Sequence, residues 1–184
     1  VWFGDHHIFD LFVIDSQGRA RRPWLTAWMD AASNRVAGWK LSFTPNSQTI
    51  MESLVLGIAK TKGSDVWGAP FLAYIDNGKD YRSRAIEGDG EHPEATGVIG
   101  GDPKAEESLL RTLGIGYRHA TPYNARAKPI ERLFGLIEGE WIRGLPGYCG
   151  NGIDIKPEGY MEEIRRGKLL TFEEFAVKFA LEIL

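Results

Sequence analysis

The chain has 184 residues, of which 43 % are hydrophobic and 26 % charged, as is usual for one soluble globular domain with a substantial core. No apolar run approaches the roughly 20 residues that span a bilayer, and no signal peptide is evident, so we expect a cytoplasmic protein without a membrane partner. The net charge of −3 argues against a free-standing nucleic-acid-binding domain, and the one cysteine, Cys149, excludes an internal disulfide and a cysteine zinc site.

Hydrophobic patterning predicts an alternation of strands and helices along the chain. Strands are predicted at residues 8–14, 23–31, 35–43, 70–76 and 115–121. Helices are predicted at residues 44–63, 102–114, 127–144 and 171–184. Three strands joined by two short turns indicate an antiparallel meander, and the alternation that follows adds parallel strands. The prediction is an α/β fold with one mixed sheet flanked by helices.

Charge is unevenly distributed between two stretches. Residues 117–132 carry four basic side chains against one acid, Glu131, whereas residues 87–107 carry seven acids against Lys104. The stretch from Glu87 to Gly101 is also rich in glycine, so we expect a mobile surface loop there. Both runs are equally compatible with solvated surface.

Three carboxylates fall at the edges of predicted elements. Asp5 lies in or just before the first strand, Asp76 ends the fourth, and Glu131 lies in the first turn of a helix that begins near Pro129. Carboxylates brought together in this way would repel one another unless a cation lay between them, and Mg²⁺ and Mn²⁺ prefer oxygen ligands. Taken alone, each residue is as well explained as a turn former or a surface charge.

Three segments carry a family resemblance. "FGDHHIFDLFV", "YIDNGKDY" and "NARAKPIERLFG" together resemble the catalytic motifs of DDE transposases and retroviral-type integrases, with the phage Mu transposase family as the most similar group. The resemblance extends over nearly the whole chain, and it implies an RNase H-like fold. It assigns catalytic and metal-binding roles to Asp5, Asp76 and Glu131, with Mg²⁺ or Mn²⁺ in a two-metal site. Asp10 lies close to Asp5, but Asp5 occupies the position that matches the family.

The resemblance also implies an activity and partners. The chain would be a transposase core that cleaves DNA strands and transfers 3′-OH ends, acting on transposon-end and target DNA in a bacterial or phage-infected cell. Arg126, Lys128 and Arg132, with Asn77, are the expected DNA contacts; Asn77 is alternatively a turn cap. The full-length assembly would be a homo-oligomer, a tetramer, with an ATPase partner that delivers target DNA. Residues 1–145 would form the catalytic core, and residues 146–184 a loop and helix that pack on it or begin the next domain.

Two alternatives remain open on the sequence. One is a hydrolytic nuclease of the same fold, and the other is a catalytically inactive DNA-binding or assembly module. Some polar side chains also allow two interpretations, as structural groups or as ligand contacts: His6, His7 and His119, and the arginines Arg19, Arg21 and Arg22 near a predicted turn.

Overall fold

A computed structural model of the chain describes residues 1–59, 65–88, 108–120, 129–150, 162 and 166–183. The chain forms two compact units that alternate along the sequence. The first comprises residues 1–6, 26–40 and 45–130, and the second comprises residues 7–25, 41–44 and 131–184. The domain boundary at residue 145 stays a prediction, as does the cytoplasmic location. Within the described ranges, no helix is both long and apolar enough to cross a bilayer.

A five-stranded mixed sheet organises the fold. Its strands are β1 (Trp2–Ile8), β4 (Trp24–Asp30), β5 (Val36–Ser42), β6 (Leu72–Ile75) and β7 (Gly116–His119), in the order β5-β4-β1-β6-β7. Strand β6 pairs in parallel with both β1 and β7. A separate two-stranded ribbon contains β2 (Val13–Ile14) and β3 (Ala20–Arg21). The predicted α/β class with parallel and antiparallel strands is confirmed.

Hydrogen bonds at their two ends show that β1 and β4 run antiparallel. The amide of Ala31 donates to Val1, at the start of β1, and the amide of Phe9 donates to Pro23, just before β4. The strands predicted at residues 23–31 and 35–43 form β4 and β5. Their connection is a tight turn in which Asn34 adopts a positive φ of 57°, a conformation that asparagine tolerates better than most residues.

The first strand lies earlier in the chain than the sequence predicted. Strand β1 covers residues 2–8, and the apolar run at residues 8–14 is strand only at its ends. That run is held by distant backbone groups instead: the amide of Phe12 donates to Gly147, and the amide of Cys149 donates to Asp10. A run of buried apolar residues does not by itself distinguish a strand from an irregular buried segment.

Helix α1 (Ser47–Ile58) packs unusually close to β5. Asn46 caps its start with a reciprocal pair of hydrogen bonds to Thr49, and its buried residues include Ile50 and Leu54. A Cβ on Gly38 of β5 would lie 2.2 Å from the Ser53 carbonyl oxygen of the helix. The contact therefore requires glycine at position 38, because a backbone atom occupies the space a side chain would need.

Short helices and the carboxyl-terminal half complete the chain. They are α2 (Arg84–Glu87), α3 (Leu109–Thr112), α4 (Pro129–Leu136), a π-helical segment (Ile137–Trp141), a 3₁₀ turn (Ile142–Gly144) and α5 (Phe172–Ile183). Helix α5 begins with a capping box, since Thr171 and Glu174 exchange hydrogen bonds of 2.9 and 3.2 Å. Residues 89–101, most of the predicted mobile loop, lie outside the described residues.

Each unit has its own apolar core. The first packs side chains of β1, β4 and β6 with those of helices α1 and α2, among them Trp2, Trp28, Ile75 and Ile86. The second has an aromatic cluster in which Phe9 contacts Phe175 and Phe179, with ring centroids 5.5 and 5.6 Å apart. Trp141 stacks on Phe175 at 5.7 Å in the same cluster. The apolar face of α5 is therefore used for packing within the second unit.

Candidate active site

Asp5 and Asp76 are placed side by side by the register of two parallel strands. Phe3 of β1 pairs with Tyr74 of β6, and their rings contact each other edge to face at 5.5 Å, so the two side chains share a face of the sheet. Side chains two residues further along a strand return to the same face. Continuing the register by two residues brings Asp5 level with Asp76, the first residue beyond β6. Asp5 is half-buried and Asp76 is exposed.

The buried Tyr81 lies near both carboxylates. Its ring is 1 % exposed and contacts the rings of His6 and Trp28. Burial raises the pKa of Tyr81 well above its usual range, and the charges of Asp5, Asp76 and Asp80 raise it further. Both carboxylates therefore lie within electrostatic reach of the same phenol, on the core of the first unit.

His6 lies beside this pair but is engaged in the protein interior. Its Nδ1 is 2.9 Å from the hydroxyl of Thr26, and its backbone amide donates to Asp5 Oδ1 at 2.8 Å. The amide contact restrains the Asp5 side chain. A carboxylate fixed in this way loses less conformational freedom when it binds a cation.

Glu131 lies in the second unit, in the first turn of α4. Its side chain is exposed, while Ile130 and Phe134 on the same helix are buried. The orphan amides of the first turn favour a negative charge there by roughly 0.3–1 kcal/mol. Pro129 begins the helix, as the sequence predicted, at a position where no intrahelical amide bond is lost.

The donor set suits a hard divalent cation. Asp5 and Asp76 offer oxygen ligands only, which Mg²⁺ and Mn²⁺ prefer over the nitrogen and sulfur ligands typical of zinc. In the part of the chain that the structure describes, no group of three or more His, Cys, Asp or Glu side chains is arranged to hold a metal ion. The structure thus brings two of the three predicted ligands together, and the role of Glu131 stays a prediction.

The predicted DNA contacts are placed only in part. Arg132 is exposed next to Glu131, whereas Arg126 and Lys128 lie outside the described residues. Asn77 follows Asp76 and is bonded within the protein: its Nδ2 donates to the Ala120 carbonyl at 2.5 Å, and its Oδ1 accepts from Arg82 at 2.7 Å. Both ends of the Asn77 amide therefore have protein partners.

Glu138, in the π-helical segment, contacts several polar groups of the second unit. Its Oε1 lies 2.9 Å from His7 Nε2 and accepts from the Asp10 amide at 2.9 Å. Arg22 pairs with the Asp10 carboxylate and donates to the Phe9 carbonyl at 2.7 Å. Burial and the Glu138 charge raise the pKa of Asp10, against the lowering effect of Arg22 and His7. Asp10, the alternative to Asp5 on sequence, thus already has a cationic partner in the protein.

The arginines near the predicted turn are likewise engaged within the protein. Arg19 pairs with Asp15 at 2.8 Å, and the Arg21 guanidinium lies over the Phe43 ring, 4.6 Å from its centroid. With Arg22 paired to Asp10, all three arginines have partners within the protein, and a phosphate contact by this group stays a prediction.

Glu87 and His119 form a pair that sequence patterns did not reveal. Glu87 belonged to a stretch predicted to be exposed loop, yet it ends α2 with its side chain 0 % exposed. Its Oε1 lies 2.7 Å from His119 Nε2. Burial raises the pKa of Glu87 to about 7, against a lowering by Arg82. One feature of the sequence does indicate burial at this point: Ile86 gives this part of the acidic stretch an apolar residue to bury.

The chain resembles one known protein in sequence and another in fold. No family model matches the chain. Over 154 residues it is 28 % identical to the transposase for transposon Tn552 of Staphylococcus aureus, an alignment that covers 82 % of this chain and 28 % of that protein.

Among solved structures, the chain is similar to one in the simian T-cell lymphotropic virus intasome in complex with PP2A regulatory subunit B56 gamma. The TM-score is 0.52 at 19 % identity, covering 89 % of this chain and 45 % of that one. The fold is therefore RNase H-like, as predicted. The chain spans less than half the length of either protein, and a particular closeness to the Mu family stays a prediction.

Proposed function

We propose that this chain is the catalytic core of a DDE-type DNA transposase, a metal-dependent polynucleotidyl transferase most similar to the phage Mu family. The observation that carries the proposal is the strand register that sets Asp5 beside Asp76 at the carboxyl end of β6. Sites in open α/β sheets favour this edge. The similarity to the Tn552 transposase supports DNA strand transfer as the reaction class.

In this proposal three carboxylates share the metal-binding role. Asp5 and Asp76 would hold Mg²⁺ or Mn²⁺ from one edge of the sheet, and Glu131 would supply the third carboxylate. The bound ions would supply charge neutralisation for the attacking and leaving oxygens of a phosphodiester. The protein would contribute position: the His6 amide restrains the Asp5 carboxylate, and Asp76 directly follows a paired strand. No covalent link between protein and DNA is needed.

The DNA would be held mainly through its phosphates. Arg126, Lys128 and Arg132 flank Glu131 in the sequence and would place backbone phosphates next to the carboxylates. Asn77, bonded to Ala120 and Arg82, would act on DNA through the loop that it shapes.

The partners follow from the same proposal. They are transposon-end DNA, target DNA, further copies of the chain in a tetrameric assembly, and an ATPase that delivers target DNA. The setting would be the cytoplasm of a bacterial or phage-infected cell.

A strand-joining assay tests this function against its two rivals. Pre-cut and uncut DNA ends from the element that encodes the chain are incubated, in separate reactions, with plasmid and Mn²⁺, using the protein in its full natural length. Joined products support the transposase. Cleavage of uncut ends without joining would identify a hydrolytic nuclease, and end binding without either product would identify an inactive binding or assembly module.

A further inference from the structure

His119, the last residue of β7, bridges two groups of the first unit. Its Nδ1 lies 3.1 Å from the backbone carbonyl oxygen of Asp76, and its Nε2 lies 2.7 Å from Glu87 Oε1. A carbonyl oxygen only accepts hydrogen bonds, so Nδ1 must carry a proton. The contact between Nε2 and Glu87 Oε1 lies within ion-pair distance. The ring therefore has a close polar neighbour at each nitrogen.

The backbone on either side of Asp76 is also tied to β7. The Ile75 carbonyl accepts from the Ala120 amide at 2.8 Å, and Asn77 Nδ2 donates to the Ala120 carbonyl at 2.5 Å. The His119 contact to the Asp76 carbonyl lies between these two. Asp76 is the first residue beyond β6, where the ladder no longer fixes the backbone. Its backbone dihedrals decide where its carboxylate points.

Glu87 supplies the rigid support for the ring. Its side chain is fully buried at the end of α2, and the amides of Ile86 and Glu87 both donate to the Ser83 carbonyl, at 2.9 and 3.1 Å. A buried carboxyl group favours a polar neighbour, and His119 Nε2 lies within ion-pair distance of it. Some groups do not bind a metal themselves but orient a residue that does. Mutating such a group commonly weakens metal affinity by about 10–100-fold.

We infer that His119 and Glu87 are positioning residues: Glu87 orients the imidazole, and the imidazole holds the Asp76 backbone so that the Asp76 carboxylate points toward the site. This role rests on the proposed function only in that Asp76 is a metal ligand. The two contacts of His119 need neither metal nor DNA, so they can be measured separately.

Two substitutions of His119 each remove one of its two contacts. His119→Asn keeps an N–H at the Nδ1 position and loses the reach to Glu87. His119→Gln keeps a polar group that can reach Glu87 and loses the donor to Asp76. Glu87→Gln keeps a group that can bond Nε2, so it should rescue what Glu87→Ala loses. Thermal melting of all four identifies any variant that does not fold.

The first readout is nuclear magnetic resonance of the metal-free chain. The carbonyl ¹³C shift of Asp76 and the amide ¹⁵N shift of Asn77 report on the hydrogen bond to the Asp76 carbonyl. Both should move in His119→Gln and stay near wild type in His119→Asn. Unchanged shifts in every variant would overturn the inference, whatever the protein does with metal.

The second readout is Mn²⁺ affinity and strand joining. We expect His119→Gln and Glu87→Ala to bind Mn²⁺ about tenfold more weakly than wild type, with Glu87→Gln within about threefold. Joining should recover at high Mn²⁺, and thermal melting of each variant without metal separates this effect from a loss of stability. Equal Mn²⁺ affinity in all variants would overturn the positioning role. If wild type binds no Mn²⁺ while the carbonyl shifts behave as expected, the bridge stands and the metal part of the proposed function fails.

Discussion

Phe3 and Tyr74 lie opposite each other on the parallel strands β1 and β6, with ring centroids 5.5 Å apart. This aromatic pair sets the register that carries Asp5 and Asp76 to neighbouring positions two residues later. A slip of one residue in either strand would turn one carboxylate to the opposite face of the sheet. The candidate metal site therefore depends on packing at a place where no chemistry occurs.

Mn²⁺ binding should depend on Asp76. Asp76→Asn keeps the shape of the side chain and removes its charge, so Mn²⁺ affinity measured by calorimetry should fall by about tenfold or more, equivalent to ~1.4 kcal/mol or more. The matched control is Asp65→Asn, an exposed carboxylate that pairs with Arg35. Equal affinity for Mn²⁺ in wild type and Asp76→Asn would show that the pair is not a metal site.

DNA contacts near Glu131 should be electrostatic. Neutralising Arg126, Lys128 or Arg132 should weaken binding about equally for different DNA sequences and reduce the salt slope by roughly 0.9 for each lost phosphate contact. Titrations at several salt concentrations give the slope, with the exposed Lys178 of α5 as the control substitution. A change of sequence preference at constant slope would instead indicate contacts to base edges.

Gly38 should be intolerant of even the smallest side chain. Gly38→Ala places a methyl group 2.2 Å from the Ser53 carbonyl oxygen, so α1 must move away from β5. Overpacking of this kind costs typically about 1–3 kcal/mol in the free energy of unfolding. Denaturant titration measures the loss.

Gly135 provides the opposite control for that substitution. It lies within α4, is exposed, and has open space where a Cβ would be. Gly135→Ala should stabilise the chain by about 0.4–1 kcal/mol, since alanine favours helix and restricts the unfolded chain. Similar effects of the two substitutions would contradict the close packing of α1 against β5.

Cys149 should be a slow nucleophile in the folded protein. It is 5 % exposed, and burial raises the pKa of its thiol. At any given pH the thiolate fraction is then smaller than for a free cysteine, so the alkylation rate should rise only at higher pH. Iodoacetamide labelling followed by mass spectrometry should show fast reaction in denaturant and slow reaction without it; equal rates would place Cys149 at the surface.

Local patterns predicted the elements whose burial is set within a few residues. Strands β4 and β5 were found because their apolar runs are bounded by turns, and α1 because Ile50 and Leu54 recur at helical spacing beyond a capping asparagine. Strand β1 was misplaced because Asp5, His6 and His7 interrupt its apolar pattern. The more apolar residues 8–14 looked like a better strand, although distant backbone groups near Gly147 bind them.

Contacts between distant residues could not be read from the sequence. Glu87 lies in a stretch of acids and glycines, and its partner His119 belongs to strand β7, far away in the sequence. The π-helical segment that presents Glu138 to His7 and Asp10 is another example, because the periodicity of that helix gave no sign of it. Both cases involve polar groups whose partners are more than 30 residues away in the sequence.

Glu131 carries the central prediction, because its proposed role is purely electrostatic. Glu131→Gln keeps the side-chain shape at an exposed position and loses under about 1 kcal/mol of helix-dipole stabilisation, too little to unfold a domain of this size. The variant should melt and bind DNA ends like wild type. Glu140→Gln, an exposed glutamate in the π-helical segment, is the control.

The most direct test is the rate of strand joining by Glu131→Gln with pre-cut DNA ends and Mn²⁺. Removing one preorganised charge partner costs about 10²–10³ in rate, so joining should fall by that factor while Glu140→Gln joins at the wild-type rate. Joining by Glu131→Gln near the wild-type rate would contradict the account and make Glu131 an ordinary surface charge.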